Sequence, residues 1–145
     1  MEVTSKTTAV NGIAVGKDNT LSFGDFSTKD KQKVDDFLVE NDTYSLRTYD
    51  QATKLSRNTE LALETVPGTV VHNFFSKEKD FISFDIEGFS STIVTVGLAP
   101  NTLYRIKSSK DIIGGMSSNS SGKVKFSIDL SNGKAQQISI EKLKQ

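Results

Sequence analysis

The chain has one histidine, His72, and no cysteine. Chemistry that needs an imidazole or a thiolate therefore has a single place to start, and Cys-based zinc sites, disulfides and thiol nucleophiles are excluded. His72 stands in VVHNFF, flanked by apolar residues, the usual setting of a strand histidine with one satisfied ring nitrogen. Serines are plentiful, but no G-x-S-x-G elbow presents one as a nucleophile. Carboxylates gather at Asp35-Asp36, Glu40, Asp42, Glu78, Asp80, Asp85 and Glu87. A glycosidase needs two opposed across about 5 to 9 Å; these fall on the polar phase of strands or in a charged stretch, where carboxylates are solvated. Neither a P-loop nor a dinucleotide-binding glycine pattern is present. The expectation is that the protein is not an enzyme.

Binding chemistry is better represented. In TYSLRTYD the phase opposite Leu46 carries Arg47 and Tyr49, a guanidinium able to hold a carboxylate in a bidentate grip beside a ring on which a sugar can stack. Lys54 and Arg57 follow closely, so Arg47, Tyr49, Lys54 and Arg57 form the candidate ligand-binding group. The absence of tryptophan and the presence of only three tyrosines argue against a flat aromatic platform for a crystalline polysaccharide and leave open a groove for a soluble or acidic glycan. Oxygen ligands cluster in GKDNT and ENDTYS, but neither has the spaced D-x-D-x-D-G form, which leaves calcium as an open alternative to no cofactor at all.

The elements that position these residues are strands. FISFDI sets Ile82, Phe84 and Ile86 against Ser83 and Asp85; KVKFSIDL sets Val124, Phe126, Ile128 and Leu130 against Lys125, Ser127 and Asp129. TIVTVGL, QQISIEKL, TYSLRTYD and TELALETV alternate in the same way, and IIGGM reads as a short strand weakened by its glycines. Gly122 in SSNSSGK and the pair Asn132-Gly133 supply residues that adopt positive φ, the signature of tight hairpins. About six strands are expected after Thr69. In STKDKQKVDDFLVE, Ser27 or Thr28 could cap a short helix with Val34, Phe37 and Leu38 at helical spacing. Residues 1–20 read as an arm or linker, with GIAVG able to pair as an edge strand, and residues 21–145 as one domain. Phe74-Phe75 cannot both point inward on a strand, so one of the pair is expected to be exposed or covered by a partner domain.

The segment GLAPNTLYRI places Leu98, Pro100, Thr102, Tyr104 and Ile106 at every second position. This resembles the tyrosine corner of fibronectin type III and related immunoglobulin-like sandwiches, where a strand crosses between sheets through a proline-bearing loop and the tyrosine hydroxyl bonds back to that loop. After Ile106, KSSKDIIGGMSSNSSGKVKFSIDLSNGKAQQISI is similar in style to the small accessory β-sandwiches of secreted polysaccharide lyases and glycoside hydrolases. That resemblance implies a noncatalytic accessory module, carbohydrate-binding or bracing a catalytic domain.

Lys plus Arg and Asp plus Glu number 18 each, for a net charge of zero, so no global field draws the chain to nucleic acid. No apolar run approaches the roughly 20 residues needed to cross a bilayer, and MEVTSKTTAV lacks the form of a signal peptide. The expected molecule is a monomeric, mainly β, antiparallel sandwich, immunoglobulin-like or jelly-roll, with one short helix in its N-terminal half. Its expected place is a secreted or cell-surface multidomain protein, as an accessory module whose partner is a polysaccharide or a neighbouring domain; a structural or adhesive domain with a protein partner is the alternative.

Overall fold

A computed structural model describes residues 13–16, 20–109 and 112–143. Two antiparallel sheets share one core. The first runs, edge to edge, β1 (Ile13–Val15), β2 (Leu21–Phe23), β7 (Val70–Lys77), β8 (Phe81–Glu87), β13 (Gln136–Lys142), β10 (Leu103–Ser108) and β11 (Ile112–Ser117). The second runs β12 (Lys123–Asp129), β9 (Ser91–Gly97), β6 (Glu60–Val66), β5 (Ala52–Arg57), β4 (Asp42–Tyr49) and β3 (Gln32–Val39). The alternating residues of FISFDI, TIVTVGL, KVKFSIDL and QQISIEKL point as their phase predicts: Ile82, Phe84, Ile86, Val94, Val96, Leu98, Val124, Phe126, Ile128, Leu130, Ile138 and Ile140 are all buried. In the second sheet Val34, Leu46, Leu55, Leu63, Val96 and Val124 are successive cross-strand partners, an apolar ladder spanning all six strands on the inner face.

The expected helix is absent; its residues form β3. The reason is a bulge. Val34 pairs with Leu46 and Phe37 with Tyr44, so three steps on β3 oppose two on β4, and Asp36 takes a positive φ of 57°. One extra residue puts Val34 and Phe37 on the same face, which imitates helical spacing. Leu38 then points away from the core and is 66% exposed. A second bulge, with Asn73 at φ 57°, brings both Val71 and Phe74 inward on β7 and leaves Phe75 partly exposed against Phe81, the two ring centroids 6.3 Å apart. GIAVG supplies the edge strand β1, whose Ile13 is buried; the rest of the proposed arm, residues 1–12 and 17–19, lies outside the described residues.

The two glycine turns also differ from expectation. Gly122 and Gly133 have the positive φ their neighbours suggest, 84° and 73°, yet neither closes a hairpin. β11 and β12 belong to different sheets, as do β12 and β13, so both turns are crossings. The Asn132-Gly133 turn is held locally: Lys134 N–H donates to Asn132 Oδ1 and Gly133 N–H to the Leu130 carbonyl.

The crossing from β9 to β10 contains the corner. Tyr104 is fully buried, and its hydroxyl accepts from Ala99 N–H at 3.0 Å and donates to the Lys79 carbonyl at 2.8 Å. One side chain thus ties the crossing loop to the β7–β8 turn, and burial holds its phenol above the ordinary range. The return crossing, β11 to β12, lies against the first. Leu98 N–H donates to Gly122 O at 2.6 Å, Asn101 N–H to Asn119 O at 3.1 Å, and Ser118 Oγ donates to Ala99 O while accepting from Thr102 N–H. A Cβ on Gly122 would lie 2.1 Å from Leu98 O, so only glycine allows this approach.

A second set of polar ties is buried among Thr48, Thr53, Thr65 and Thr69. Thr53 Oγ1 donates to Thr69 O at 2.9 Å and accepts from Thr69 N–H at 3.1 Å. Having spent its proton, it must accept from Thr48 Oγ1 at 2.8 Å, and Thr48 in turn accepts from Asp25 N–H at 2.9 Å. The chain of hydroxyls joins β4 and β5 to the segments that enter and leave the first sheet.

Tyr104→Phe strands Ala99 N–H and the Lys79 carbonyl together and is expected to cost about 1 to 3 kcal/mol of unfolding free energy by denaturant titration. Thr53→Val keeps shape but leaves Thr69 N–H without its side-chain acceptor and the Thr48 hydroxyl with only its longer contact to Asp25 O, 3.4 Å; a loss of similar size, about 1 to 3 kcal/mol, is expected. Stability within 0.3 kcal/mol or so of wild type for either variant would contradict these assignments, being the scale of an unremarkable surface change.

Candidate functional site

Beside the inner apolar ladder, shifted by one residue, runs an outer one. Lys33 pairs with Arg47, Arg47 with Lys54, Lys54 with Glu64, Glu64 with Thr95, and Thr95 with Lys125. Directly opposed residues share a face, so these six side chains form one row across the outer surface of the six-stranded sheet. Three cations come first, on β3, β4 and β5; a carboxylate and a hydroxyl follow, then a fourth cation on the far edge. Lys123, two residues from Lys125 on the same strand, joins a shallow depression of about 420 Å³ lined by Lys54, Leu61, Glu64, Thr95, Asn119, Lys123 and Lys125. Among the described residues, the side chains of Lys33, Lys54, Glu64, Lys123 and Lys125 make no ion pair.

Of the four residues singled out in the sequence, three reach this face. Arg47 is central to the row, Lys54 is exposed beside it, and Tyr49 lies two residues from Arg47 with Lys31 Nζ 5.2 Å from its ring centroid. Arg57 does not join them. The phase of β5 turns it the other way, and its Nη1 donates to Ser76 Oγ at 2.8 Å on β7, bridging the two sheets. Arg47 itself is partly committed: Nη2 meets Asp35 Oδ1 at 2.9 Å, while Nη1 donates to Leu46 O at 2.9 Å and to Val34 O at 3.4 Å. Those partners flank the β3 bulge, so the guanidinium clamps the bulge as well as contributing charge.

Lys33, Glu64, Lys123 and Lys125 were not among the expected site residues. The alternation of KVKFSIDL does turn Lys125 outward, but nothing local tells that β12 pairs with β9, and β9 with β6. The ladder is a property of register between segments far apart in the chain.

His72 lies on β7 with Nε2 3.4 Å from Glu87 Oε1, both side chains largely covered. Desolvation raises the Glu87 carboxyl above its ordinary range, and the hydrogen bond and charge of His72 offset part of that. Among the described residues no group of three His, Asp or Glu side chains converges to hold a metal. Of the two loops considered for calcium, Lys17 to Asn19 of GKDNT lie outside the described residues, and in ENDTYS the Asp42 carboxylate accepts from Asn58 Nδ2 at 2.8 Å.

The raised carboxyl gives a pH dependence with a definite sign. A folded-state pKa above the unfolded value, about 4.3 for glutamate, means the folded protein holds this proton more tightly; the stabilisation is full below that value and is lost as pH rises through the folded pKa. Glu87→Gln is therefore expected to gain stability relative to wild type as pH rises from acid to neutral, read as the difference in Tm across a pH series. A difference that shrinks toward neutral pH would show that pairing with His72, not desolvation, dominates.

Comparison with known proteins finds no matching family model, no similar curated sequence and no similar solved structure, so the chemistry of this face carries the functional reading.

Proposed function

We propose that the protein is a noncatalytic accessory module of a secreted or cell-surface protein, a sandwich of the immunoglobulin-like or jelly-roll kind, and that it binds an acidic polysaccharide on the outer face of its six-stranded sheet. The observation that carries this reading is the run Lys33, Arg47, Lys54 on three adjacent strands. Like charges directly opposed across strands destabilise a sheet; among the described residues Arg47 is bonded to Asp35, Lys54 has Glu64 opposite it without an ion pair, and Lys33 makes no ion pair. An arrangement that works against folding in the free protein is one that an anionic ligand relieves. Tyr49, beside Arg47, supplies an aromatic surface for the apolar side of a sugar ring.

A protein partner, either a neighbouring domain to be braced or a separate surface protein, is the second reading. It is favoured by the pair Val66 and Ile93, directly opposed on β6 and β9 and 47% and 45% exposed. These apolar side chains continue the same outer face beyond the cationic row.

Affinity electrophoresis separates the two. Polygalacturonate in the gel is expected to retard the protein and neutral glucans are not, with the retardation falling as salt is added. Lys54→Gln and Lys125→Gln are each expected to weaken retardation several-fold and to leave Tm nearly unchanged, since Lys54→Gln removes a like-charge neighbour of Arg47 and an opposite-charge neighbour of Glu64 together. Arg47→Ala is the poorer probe, because it also releases the bulge. Retardation by no acidic glycan would discard the glycan reading and leave the protein-partner one.

A further inference from the structure

The row of charge runs across the strands, and its order is uneven. Neighbouring strands lie about 4.8 Å apart, so the five steps from Lys33 to Lys125 span about 24 Å. Cations occupy the first three places, Glu64 the fourth, Thr95 the fifth and Lys125 the sixth. A chain lying along the strands would meet one or two of these groups, whereas one lying across them meets all. One strand spacing is comparable with the length of a sugar residue in an extended chain, so each residue of a crossing glycan sits over about one strand. The one carboxylate in the row then stands beneath an interior residue of the ligand. Glu64 is half-buried and makes no ion pair among the described residues. It repels a carboxylate placed above it and accepts hydrogen bonds from hydroxyls or amides there.

Resting on the acidic-polysaccharide reading, we propose that the ligand crosses the strands of the six-stranded sheet from β3 to β12, and that Glu64 is its specificity-determining residue. It disfavours a charged residue at the fourth place, and so lowers affinity for glycans charged at every residue relative to what the same row would give with a neutral group there. A single-stranded nucleic acid is the less suitable occupant, because such ligands are held by stacking on several aromatic rings, and of the two aromatic residues of β4 Tyr44 is buried, which leaves Tyr49 beside the row.

Two series measured by calorimetry test this: hyaluronan oligosaccharides, which alternate charged and neutral residues, and oligogalacturonates, charged at each. In wild type, affinity should climb with length to about five or six residues and then level, the number of strands the row covers. Lys33→Gln and Lys125→Gln, at the two ends, should move that plateau to shorter chains, and Glu64→Gln should strengthen oligogalacturonate binding several-fold more than hyaluronan binding. A plateau at two or three residues, or an end variant that leaves it in place, would overturn the crossing orientation. Equal gains for both series on Glu64→Gln would overturn its role in specificity, and equal affinity for single-stranded DNA would overturn selection for a glycan. In each of these cases the acidic-ligand reading survives. Binding of neither oligosaccharide series by wild type would remove that reading and this inference together.

Discussion

Two loops that cross between the sheets in opposite directions, 98–102 and 118–122, are joined to each other by backbone hydrogen bonds and locked by the hydroxyls of Tyr104 and Ser118. The remaining architecture depends on this join. A strand that changes sheets leaves backbone groups behind with no ladder to satisfy them, and those groups are buried beneath the next layer. Here the two crossings satisfy each other. Leu98 and Gly122 exchange backbone contact where β9 ends and β12 begins, so the pairing of β9 with β12 continues into the loops without a break. That continuity sets the register of the sheet's far edge. Tyr104 carries the constraint across to the β7–β8 turn through Lys79, and one ring therefore fixes three separate chain segments.

The corner was legible because its requirements are local. A ring large enough to fill the corner, a polar tip and a proline-bearing loop all lie within ten residues, and the alternation that turns Tyr104 inward also turns Ile106 inward. The alternating strands were legible for the same reason. The bulges were not. In β3, two residues of the pattern KVDDFLV are absorbed by a single partner position, and the resulting three-residue spacing of Val34 and Phe37 has two readings, a helix face or a bulged strand, that hydrophobic periodicity cannot separate. Local chemistry was also insufficient at Asn132-Gly133. The pair does adopt the backbone it favours, but that fixes the shape of a turn and not which strands the turn joins.

The site divides along the same line. Arg47, Tyr49 and Lys54 are close in sequence and fall on adjacent strands of one hairpin, so their common face follows from alternation alone. Arg57 is lost to the group by the same alternation: three residues from Lys54, it falls on the opposite phase of β5, across from buried Tyr44, and turns toward the other sheet. Glu64 enters through the bulged β5–β6 hairpin, and Thr95 and Lys125 through two long-range registers; each moves a side chain to the opposite face if it slips by one residue. The sequence contains the rungs but not their alignment.

That alignment also explains how a sheet can keep three adjacent cations. Immediately beside the outer row runs the inner ladder Val34, Leu46, Leu55, Leu63, Val96 and Val124, apolar in every strand and buried at every rung. A fully buried aliphatic side chain contributes roughly 1.5 to 3 kcal/mol, while an unfavourable cross-strand pair costs at most about 1 kcal/mol. Register is thus decided on the inner face, and the outer face is released from any duty to stabilise it. Arg47 stands at the boundary of the two roles. Its bonds to Val34 O, Leu46 O and Asp35 secure the bulged edge, and its charge joins the row; among the described residues Lys33 and Lys54, on either side of it, make no ion pair.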